Sequence, residues 1–352
     1  MASDNQIWSP LPVGPQERAT AGRIIDIHGH AFIPAIEALT AGRPERAAEM
    51  AAMASGSGEA SHRHNMADML PRAGERMASL EKRLRDLDWM GIDLQVVSPA
   101  PNQYCYWADR GLAAEIVDAA NEGIASLVSR APDRLAGIGM VSLQHPELAA
   151  RQVAAALDQH GLKGIEISAS VGASELSDPR FEPFWQAANE RGLLVFIHPL
   201  GSSLGARLDR HYLSNTIGQP IETTIALSHL IFSGVLDRYP DIRFLGAHGG
   251  GYLPAYFGRA DHAWRVRPEA RACEQRPSEY LRRIHVDTVV FDGGELARLV
   301  EVMGADRVLF GTDYPYDMGS YDPAALMRES GLDGAKVSAV MGGNAVALLK
   351  VG

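Results

Sequence analysis

Short runs rich in β-branched residues recur along the 352-residue chain, and each precedes a stretch with apolar residues at three- and four-residue intervals. This alternation predicts parallel strands joined by crossover helices. Eight such strands predict an α/β fold in the form of a closed (β/α)₈ TIM barrel. The predicted strands are residues 24–28, 94–98, 135–141, 164–167, 193–198, 242–248, 284–288 and 307–313, and the predicted helices include 78–90, 112–129, 146–160, 183–191 and 297–303.

An open doubly wound sheet is the alternative fold. Its phosphate-binding Gly-x-Gly-x-x-Gly turn should follow the first strand, but this chain has His28-Gly29-His30 at that position, which favours the barrel. We expect residues 1–22 to form an N-terminal arm and residues 23–352 a single barrel domain, because such barrels often exceed 250 residues. Residues 42–74 do not resemble a strand-helix unit, and we expect an insertion or lid over the barrel mouth.

Charge and cysteine content exclude several classes of protein. A net charge of −10 and a pI near 5.6 argue against nucleic-acid or anionic-membrane partners, which need a basic surface. The two cysteines, Cys105 and Cys273, are far apart and suggest neither a disulfide framework nor a zinc finger. The chain begins without a signal-peptide pattern, so a cytoplasmic enzyme acting on a small molecule is expected.

His28 and His30 lie two residues apart at the end of the first predicted strand. The two-residue period of a strand turns both side chains to the same face, which in a barrel is the interior at the C-terminal mouth. Two imidazoles there can share one cation. A pair of hydrogen-bonded histidines without metal is the alternative interpretation, and the His-x-His pattern alone does not decide between them.

Three other predicted strands also end on residues that can ligate a metal: His198, His248 and Asp313. A polar group at the end of a core strand is unfavourable without a partner, so the convergence of these groups predicts a metal site. Imidazole and carboxylate ligands suit zinc, with manganese as a second candidate, and leave a position for water or substrate.

One histidine can instead stand off the metal and exchange protons, because its pKa lies near working pH. His248 is the candidate, since the Gly249–Gly251 run beside it lets backbone and substrate approach closely. A fourth ligand or a structural histidine is the alternative.

Tyr106 and Trp107, beyond the second strand, could present rings to a planar substrate or pack in the core. Glu166 and Asp287, inside predicted strands, could fix the tautomer of a ligand histidine.

Several motifs, in the same order, resemble the amidohydrolase superfamily. The resemblance is closest to its metal-dependent decarboxylase branch, typified by 2-amino-3-carboxymuconate 6-semialdehyde decarboxylase, and runs from about residue 23 to 350. The motifs are Asp26-Ile27-His28-Gly29-His30, Phe196-Ile197-His198-Pro199, the stretch from Gly234 through Ala247-His248-Gly249-Gly250-Gly251 to Gly258-Arg259, and Leu309-Phe310-Gly311-Thr312-Asp313-Tyr314-Pro315.

The resemblance implies one divalent ion held by His28, His30, His198 and Asp313, with His248 activating a metal-bound water. It also implies a homodimer in which Arg259 reaches a carboxylate in the neighbouring subunit's site, as an arginine fork can.

The chain departs from the branch at two substrate-binding positions. Asn215 stands where the branch has a tryptophan, and the arginine expected after the first strand falls in the insertion, where Arg63, His64 and Arg72 are the candidates to replace it.

The function expected from these residues is non-oxidative decarboxylation of a small unsaturated or aromatic carboxylic acid. His248 and a metal-bound water would handle protons, and Asp313 could assist. A metal-dependent amide or lactone hydrolase, or a hydratase, on the same site is the alternative, since fold and ligands alone do not choose the reaction. A barrel without catalysis that serves only binding is a third hypothesis.

Overall fold

The computed structural model describes residues 17–351, so most of the expected N-terminal arm lies outside the described residues. Eight barrel strands are present, almost entirely buried, and the prediction of a TIM barrel is confirmed. They are β1 (Ile25–Ala31), β2 (Leu94–Pro99), β3 in two pieces (Leu135–Gly137 and Gly139–Met140), β4 (Ile165–Ile167), β5 (Leu194–Ile197), β6 (Arg243–Gly246), β7 (Ile284–Asp287) and β8 (Val308–Leu309).

The strands pair in parallel and in chain order from β1 to β8, with the two pieces of β3 linking the sheet's two halves. The seam between β8 and β1 is closed by backbone hydrogen bonds. Ile27 N donates to Phe310 O at 2.8 Å, Asp313 N to His28 O at 2.9 Å and His30 N to Tyr314 O at 2.7 Å. The sheet therefore has no free edge at this seam, and the closing bonds involve the histidine pair of β1.

Helices follow the strands and pack around them. Serine at position 79 ends one helix and caps the next by accepting a hydrogen bond from Lys82 N, so the helix predicted over 78–90 is divided there. The α-helices after the insertion are Leu80–Met90, Arg110–Ser129, Pro146–Asp158, Glu182–Glu190, Gln219–Phe232, Val235–Arg238, Leu253–Val266, Gly293–Met303, Pro323–Ser330, Gly334–Ser338 and Asn344–Leu349. None of the helices between residues 17 and 351 combines the length and apolar character needed to span a membrane.

Two predicted strands end two or more residues earlier than the apolar pattern indicates. The sixth ends at Gly246 and the eighth at Leu309, whereas predicted strands 242–248 and 307–313 include His248 and Asp313. These two residues have φ angles of 55° and 59°, in the left-handed region that ends regular strand pairing. His248 and Asp313 thus lie on tight turns just beyond the strands.

Inward-facing side chains of the strands fill the barrel interior, and the C-terminal helix closes it from below. Ile27, Leu94, Phe196 and Leu245 belong to this apolar cluster, together with Leu348. Phe196 also lies against the His28 ring, with centroids 4.9 Å apart. The interior beneath the histidines is therefore a packed apolar core.

The segment 42–74 is helical, with elements Pro44–Ser57, Glu59–His64, Asn65–Met69 and Leu70–Ala78 after a first helix, Pro34–Thr40. Its side chains contact loops that follow β2, β5 and β8. Arg46 donates to Asn102 O at 2.6 Å, and His64 Nε2 lies 3.5 Å from Asp317 Oδ2. The segment lies over part of the barrel mouth, and its movement as a lid stays a prediction.

Gly58 offers a test of how this insertion is attached. A Cβ at Gly58, where φ is 80°, would lie 1.8 Å from the carbonyl oxygen of Asp209, whereas a Cβ at Gly56 would meet no atom within 4 Å. We expect Gly58→Ala to detach the insertion locally and speed proteolytic cleavage between residues 42 and 74. Gly56→Ala, inside a helix, should be neutral or stabilising by about 0.5–1 kcal/mol. Equal cleavage rates in the two variants would contradict this attachment.

Candidate metal centre at the barrel mouth

The five residues that the strand ends predict come together in the structure. The Nε2 atoms of His28 and His30 lie 3.1 Å apart and 3.4 and 3.3 Å from Asp313 Oδ1. His198 packs between His28 and His248, with ring centroids 5.0 and 5.1 Å away. Ligand atoms of His28, His198, His248 and Asp313 all lie within 4.8 Å of one another.

Several polar atoms in this cluster are buried without a hydrogen-bond partner. Among the described residues they include His198 Nε2, His248 Nδ1 and Asp313 Oδ1. Leaving such atoms unpaired is unfavourable, and native proteins rarely do so. A cation bound between His198 Nε2 and Asp313 Oδ1 would satisfy both, so these residues fit a divalent metal ion.

The orientation of each imidazole is set by the nitrogen that faces away from the centre. His28 Nδ1 contacts Asp287 at 2.8 Å, His198 Nδ1 contacts the Pro199 carbonyl at 2.9 Å and His30 Nδ1 contacts Ser98 Oγ at 3.3 Å. A proton on Nδ1 leaves the lone pair of Nε2 directed at the centre, as a metal ligand requires. Two such lone pairs 3.1 Å apart repel unless a cation lies between them.

The charges around the cluster favour a cation. Burial alone raises the pKa of Asp313, but the imidazoles of His28, His248 and His30 around it hold that pKa well below its usual value. Burial alone lowers the pKa of His28, but Asp313 and Asp287 raise it to about 9. Burial and the neighbouring imidazoles lower the pKa of His198 well below its usual value. The centre therefore combines an ionised carboxylate with an imidazole that resists protonation.

Buried polar side chains beneath the cluster tie β1 to β8, and sequence reasoning did not single them out. Asp26 accepts hydrogen bonds from Thr312 Oγ1 at 2.6 Å and Gln95 Nε2 at 2.7 Å. Arg83 donates to Gln95 Oε1 and to the carbonyl oxygen of His30, both at 2.6 Å. Gly29 is required at this point, because a Cβ there would lie 2.7 Å from Gln95.

Glu166 is linked to His30 by hydrogen bonds through Ser98. Ser98 Oγ donates to Glu166 Oε2 at 2.5 Å and contacts His30 Nδ1, while Tyr104 donates to the other Glu166 oxygen at 2.5 Å. Burial raises the pKa of Glu166. The two carboxylates expected to fix a histidine tautomer therefore act differently. Asp287 contacts His28 directly, whereas Glu166 is linked to His30 through Ser98.

A cavity of about 390 Å³ opens beside the centre, and His248 and Asp313 form its inner end. Asn215, one of the predicted substrate-binding residues, also lines it. Most of its wall is apolar, which suits a planar organic substrate. Its other lining residues include Thr216, Pro220, Tyr252, Pro254, Val289, Val290, Phe291, Glu295, Arg298, Leu299, Val302 and Met318, none of which the sequence patterns indicated.

The other predicted substrate-binding residues lie apart from this cavity. Tyr106 stacks on Tyr104 and accepts a hydrogen bond from Ser168 N, and Trp107 donates to Glu49 of the insertion at 3.0 Å. Arg259 is exposed on helix Leu253–Val266.

The three insertion residues that could replace the missing arginine have local partners. Arg63 pairs with Glu59 and Arg72 with Asp68, each within the insertion. His64 contacts Asp317 in the loop after β8. Within the described residues, none of the three lines the cavity.

Comparison with known proteins places this site in a family. The amidohydrolase family model matches residues 25–351. A 2-amino-3-carboxymuconate-6-semialdehyde decarboxylase from Dictyostelium discoideum is 34% identical over 270 residues, covering 76% of this chain and 75% of its own.

Solved structures show the same architecture. The 5-carboxyvanillate decarboxylase from Sphingomonas paucimobilis has a TM-score of 0.81 at 26% identity, covering 94% of this chain and 100% of its own. The 5-carboxyvanillate decarboxylase from Novosphingobium aromaticivorans, complexed with manganese and 4-hydroxy-3-methoxy-5-nitrobenzoic acid, has a TM-score of 0.82 at 23% identity, covering 96% of this chain and 98% of its own.

The chain therefore belongs to the amidohydrolase family, and within it to the metal-dependent decarboxylases. It is a non-oxidative decarboxylase, a carboxy-lyase, and the relatives favour this reaction over the hydrolase alternative. The expected family, fold and reaction are confirmed, and a divalent metal is supported by the His/Asp cluster.

Proposed function

We propose that this enzyme decarboxylates a small aromatic or conjugated carboxylic acid where the cavity meets the cluster of histidines. The observation that carries the proposal is the position of His248, which lines the cavity and has a nitrogen 3.5 Å from Asp313 Oδ2. The apolar cavity wall suits a planar ring or a conjugated chain. The carboxylated aromatic and muconate substrates in the relatives' names support the same class.

The roles proposed for the residues follow from their surroundings. His28, His30, His198 and Asp313 are the ligands, because they are the most deeply buried members of the cluster. His248 is the proton carrier, because its side chain keeps 14% of its exposure and faces the cavity. The alternative is that His248 is itself a ligand. It is supported by the distances of at most 4.8 Å between the ligand atoms of His248, His28, His198 and Asp313.

In the proposed reaction, His248 delivers a proton to the carbon that bears the carboxylate. The new carbon–hydrogen bond uses a pair of the substrate's π electrons. The bond between that carbon and the carboxylate then breaks, its electron pair returns to the conjugated system, and carbon dioxide leaves. Asp313, 3.5 Å from His248, stabilises the protonated imidazole before transfer. A divalent ion, when bound, supplies Lewis-acid polarisation and orientation of the substrate's oxygen atoms. The apolar wall limits the access of water to the reacting carbon.

We propose zinc as the ion, because zinc, a metal ion of intermediate softness, binds well to a set of three imidazole nitrogens and one carboxylate oxygen. Manganese is the competing assignment, since it occupies the Novosphingobium aromaticivorans decarboxylase.

A homodimer is proposed as the functional unit. Helix Leu253–Val266 carries Arg259 and the exposed Tyr256, whose side chain is 70% accessible, and the cavity rim exposes Tyr252 and Phe291 at 40% and 52%. Exposed aromatic side chains around an open cavity are typical of a surface that a second subunit covers. Arg259 would then bind a carboxylate in the neighbouring site.

Carbon dioxide release tests the reaction. Zinc- or manganese-loaded enzyme, offered hydroxybenzoates and carboxymuconate-type acids, should release carbon dioxide from at least one, with one solvent deuteron incorporated at the vacated carbon in D₂O. His248→Ala should keep its metal content but lose about 10²–10⁴-fold in turnover, the usual contribution of a positioned general acid. Loss of the metal in His248→Ala would contradict the proposed roles, and absence of release from every acid would contradict the substrate class.

Subunit complementation tests the position of Arg259. Arg259→Ala should raise KM by roughly tenfold to a hundredfold, as expected for a charge-assisted hydrogen bond of about 1.5–3 kcal/mol. At substrate concentrations well below the raised KM, a mixture of Arg259→Ala and His248→Ala should be more active than the two variants measured separately, because a mixed dimer contains one intact site. Arg265→Ala, at another exposed position of the same helix, is the control and should behave as wild type. A mixture no more active than the two separate variants would rule out a shared site.

A further inference from the structure

Asp287 is not among the proposed ligands, yet it contacts both His28 and the backbone of His248. It ends β7, is fully buried and accepts four hydrogen bonds. Oδ2 accepts from His28 Nδ1 at 2.8 Å and from the backbone N–H of His248 at 3.0 Å. Oδ1 accepts from the backbone N–H of Gly249 at 2.8 Å and of Val289 at 3.0 Å.

Only an ionised carboxylate satisfies this arrangement. All four partners are donors, and a carboxylate offers about four lone-pair positions and no proton. An amide in its place would turn an NH₂ group toward two donors, whichever way it is oriented.

The backbone that Asp287 holds is unusual. His248 has a φ of 55°, and the three glycines after it continue with φ of 63°, 76° and 65°. Glycine adopts this region freely, but for histidine it is unfavourable and persists only where neighbouring contacts enforce it. The two hydrogen bonds from His248 N and Gly249 N to Asp287 supply that enforcement.

We propose that Asp287 is a positioning residue that couples metal binding to proton delivery. Through Oδ2 it keeps the proton of His28 on Nδ1, so that Nε2 faces the metal. Through both oxygens it holds the turn that aims His248 into the cavity. The second half of this inference rests on the proposed role of His248 as proton carrier, whereas the first half does not.

The variant Asp287→Asn separates these effects from simple loss of packing, because it keeps the shape of the side chain. If the new NH₂ group faces His28, it donates to Nδ1 and moves the imidazole proton to Nε2, which then cannot bind a metal. If it faces Gly249 and Val289, it repels the N–H groups of the turn. In the first orientation the NH₂ group also faces the N–H of His248, so it disturbs both the proton of His28 and the turn, whereas the second orientation disturbs the turn alone.

Thr288→Val is the matched control. Thr288 is the next residue, is fully buried, and exchanges hydrogen bonds with the backbone of Gly311 through Oγ1. Valine keeps its shape and removes both hydrogen bonds to Gly311, and among the described residues no hydrogen bond of Thr288 reaches His28 or His248. A general weakening of the strand end therefore affects Thr288→Val as much as Asp287→Asn.

Three measurements test the coupling. Titration of the metal-free protein against a competing chelator should show metal affinity about 10–100-fold weaker in Asp287→Asn, the usual effect of losing such a histidine partner. Hydrogen exchange of the metal-free protein should be faster at the amides of His248 and Gly249. At saturating metal, kcat should remain lower than in wild type, with a smaller change in KM. Thr288→Val should leave all three near wild type.

The outcomes are distinguishable from failure of the proposed function. If wild type decarboxylates no acid offered, metal affinity and hydrogen exchange still decide the inference. Wild-type metal affinity in Asp287→Asn would overturn the effect on His28. Wild-type exchange, together with full recovery of kcat at saturating metal, would overturn the coupling to His248. Equal losses in Thr288→Val would show that Asp287 acts only through the stability of the strand.

Discussion

Imidazoles and a carboxylate crowd together at the barrel mouth, and this crowding is the main constraint on the structure. Nε2 atoms of His28 and His30 lie 3.1 Å apart beside a buried Asp313, and His198 Nε2 has no hydrogen-bond partner among the described residues. Such crowding is unfavourable in a protein interior without a compensating charge. A divalent ion bound by these residues would compensate the crowding, and its binding would then contribute to the stability of the fold.

The barrel holds this arrangement at its own closing seam. Backbone atoms of His28, His30 and Asp313 form the hydrogen bonds that join β8 to β1. The bonds that close the barrel therefore also position these proposed ligands. Asp26 reinforces the seam from below by accepting from Thr312 and Gln95. The proposed reaction needs one further element, a proton carrier at the edge of an apolar cavity, and His248, on its left-handed turn, is the residue we propose for it.

Much of this was accessible from the sequence, because strand and helix periodicity and the polar residues at strand ends are local signals. The eight strands and the convergence of His28, His198 and Asp313 follow from them. The β-bulge in β1 between Asp26 and Gly29 does not, since register shifts arise from pairing with β2. Nor do Phe291 and Arg298 in the cavity wall, because they approach only after the chain folds. Tyr106 and Trp107 follow a strand as expected, yet tertiary contacts with Ser168 and Glu49 hold them elsewhere.

The number of imidazoles around the ion is the measurement closest to the central claim. X-ray absorption of the metal-loaded enzyme counts the imidazole and carboxylate ligands directly. We predict three imidazoles and a carboxylate oxygen from His28, His30, His198 and Asp313, with the count unchanged in His248→Ala. Four imidazoles in wild type, falling to three in His248→Ala, would make His248 a ligand and contradict the account.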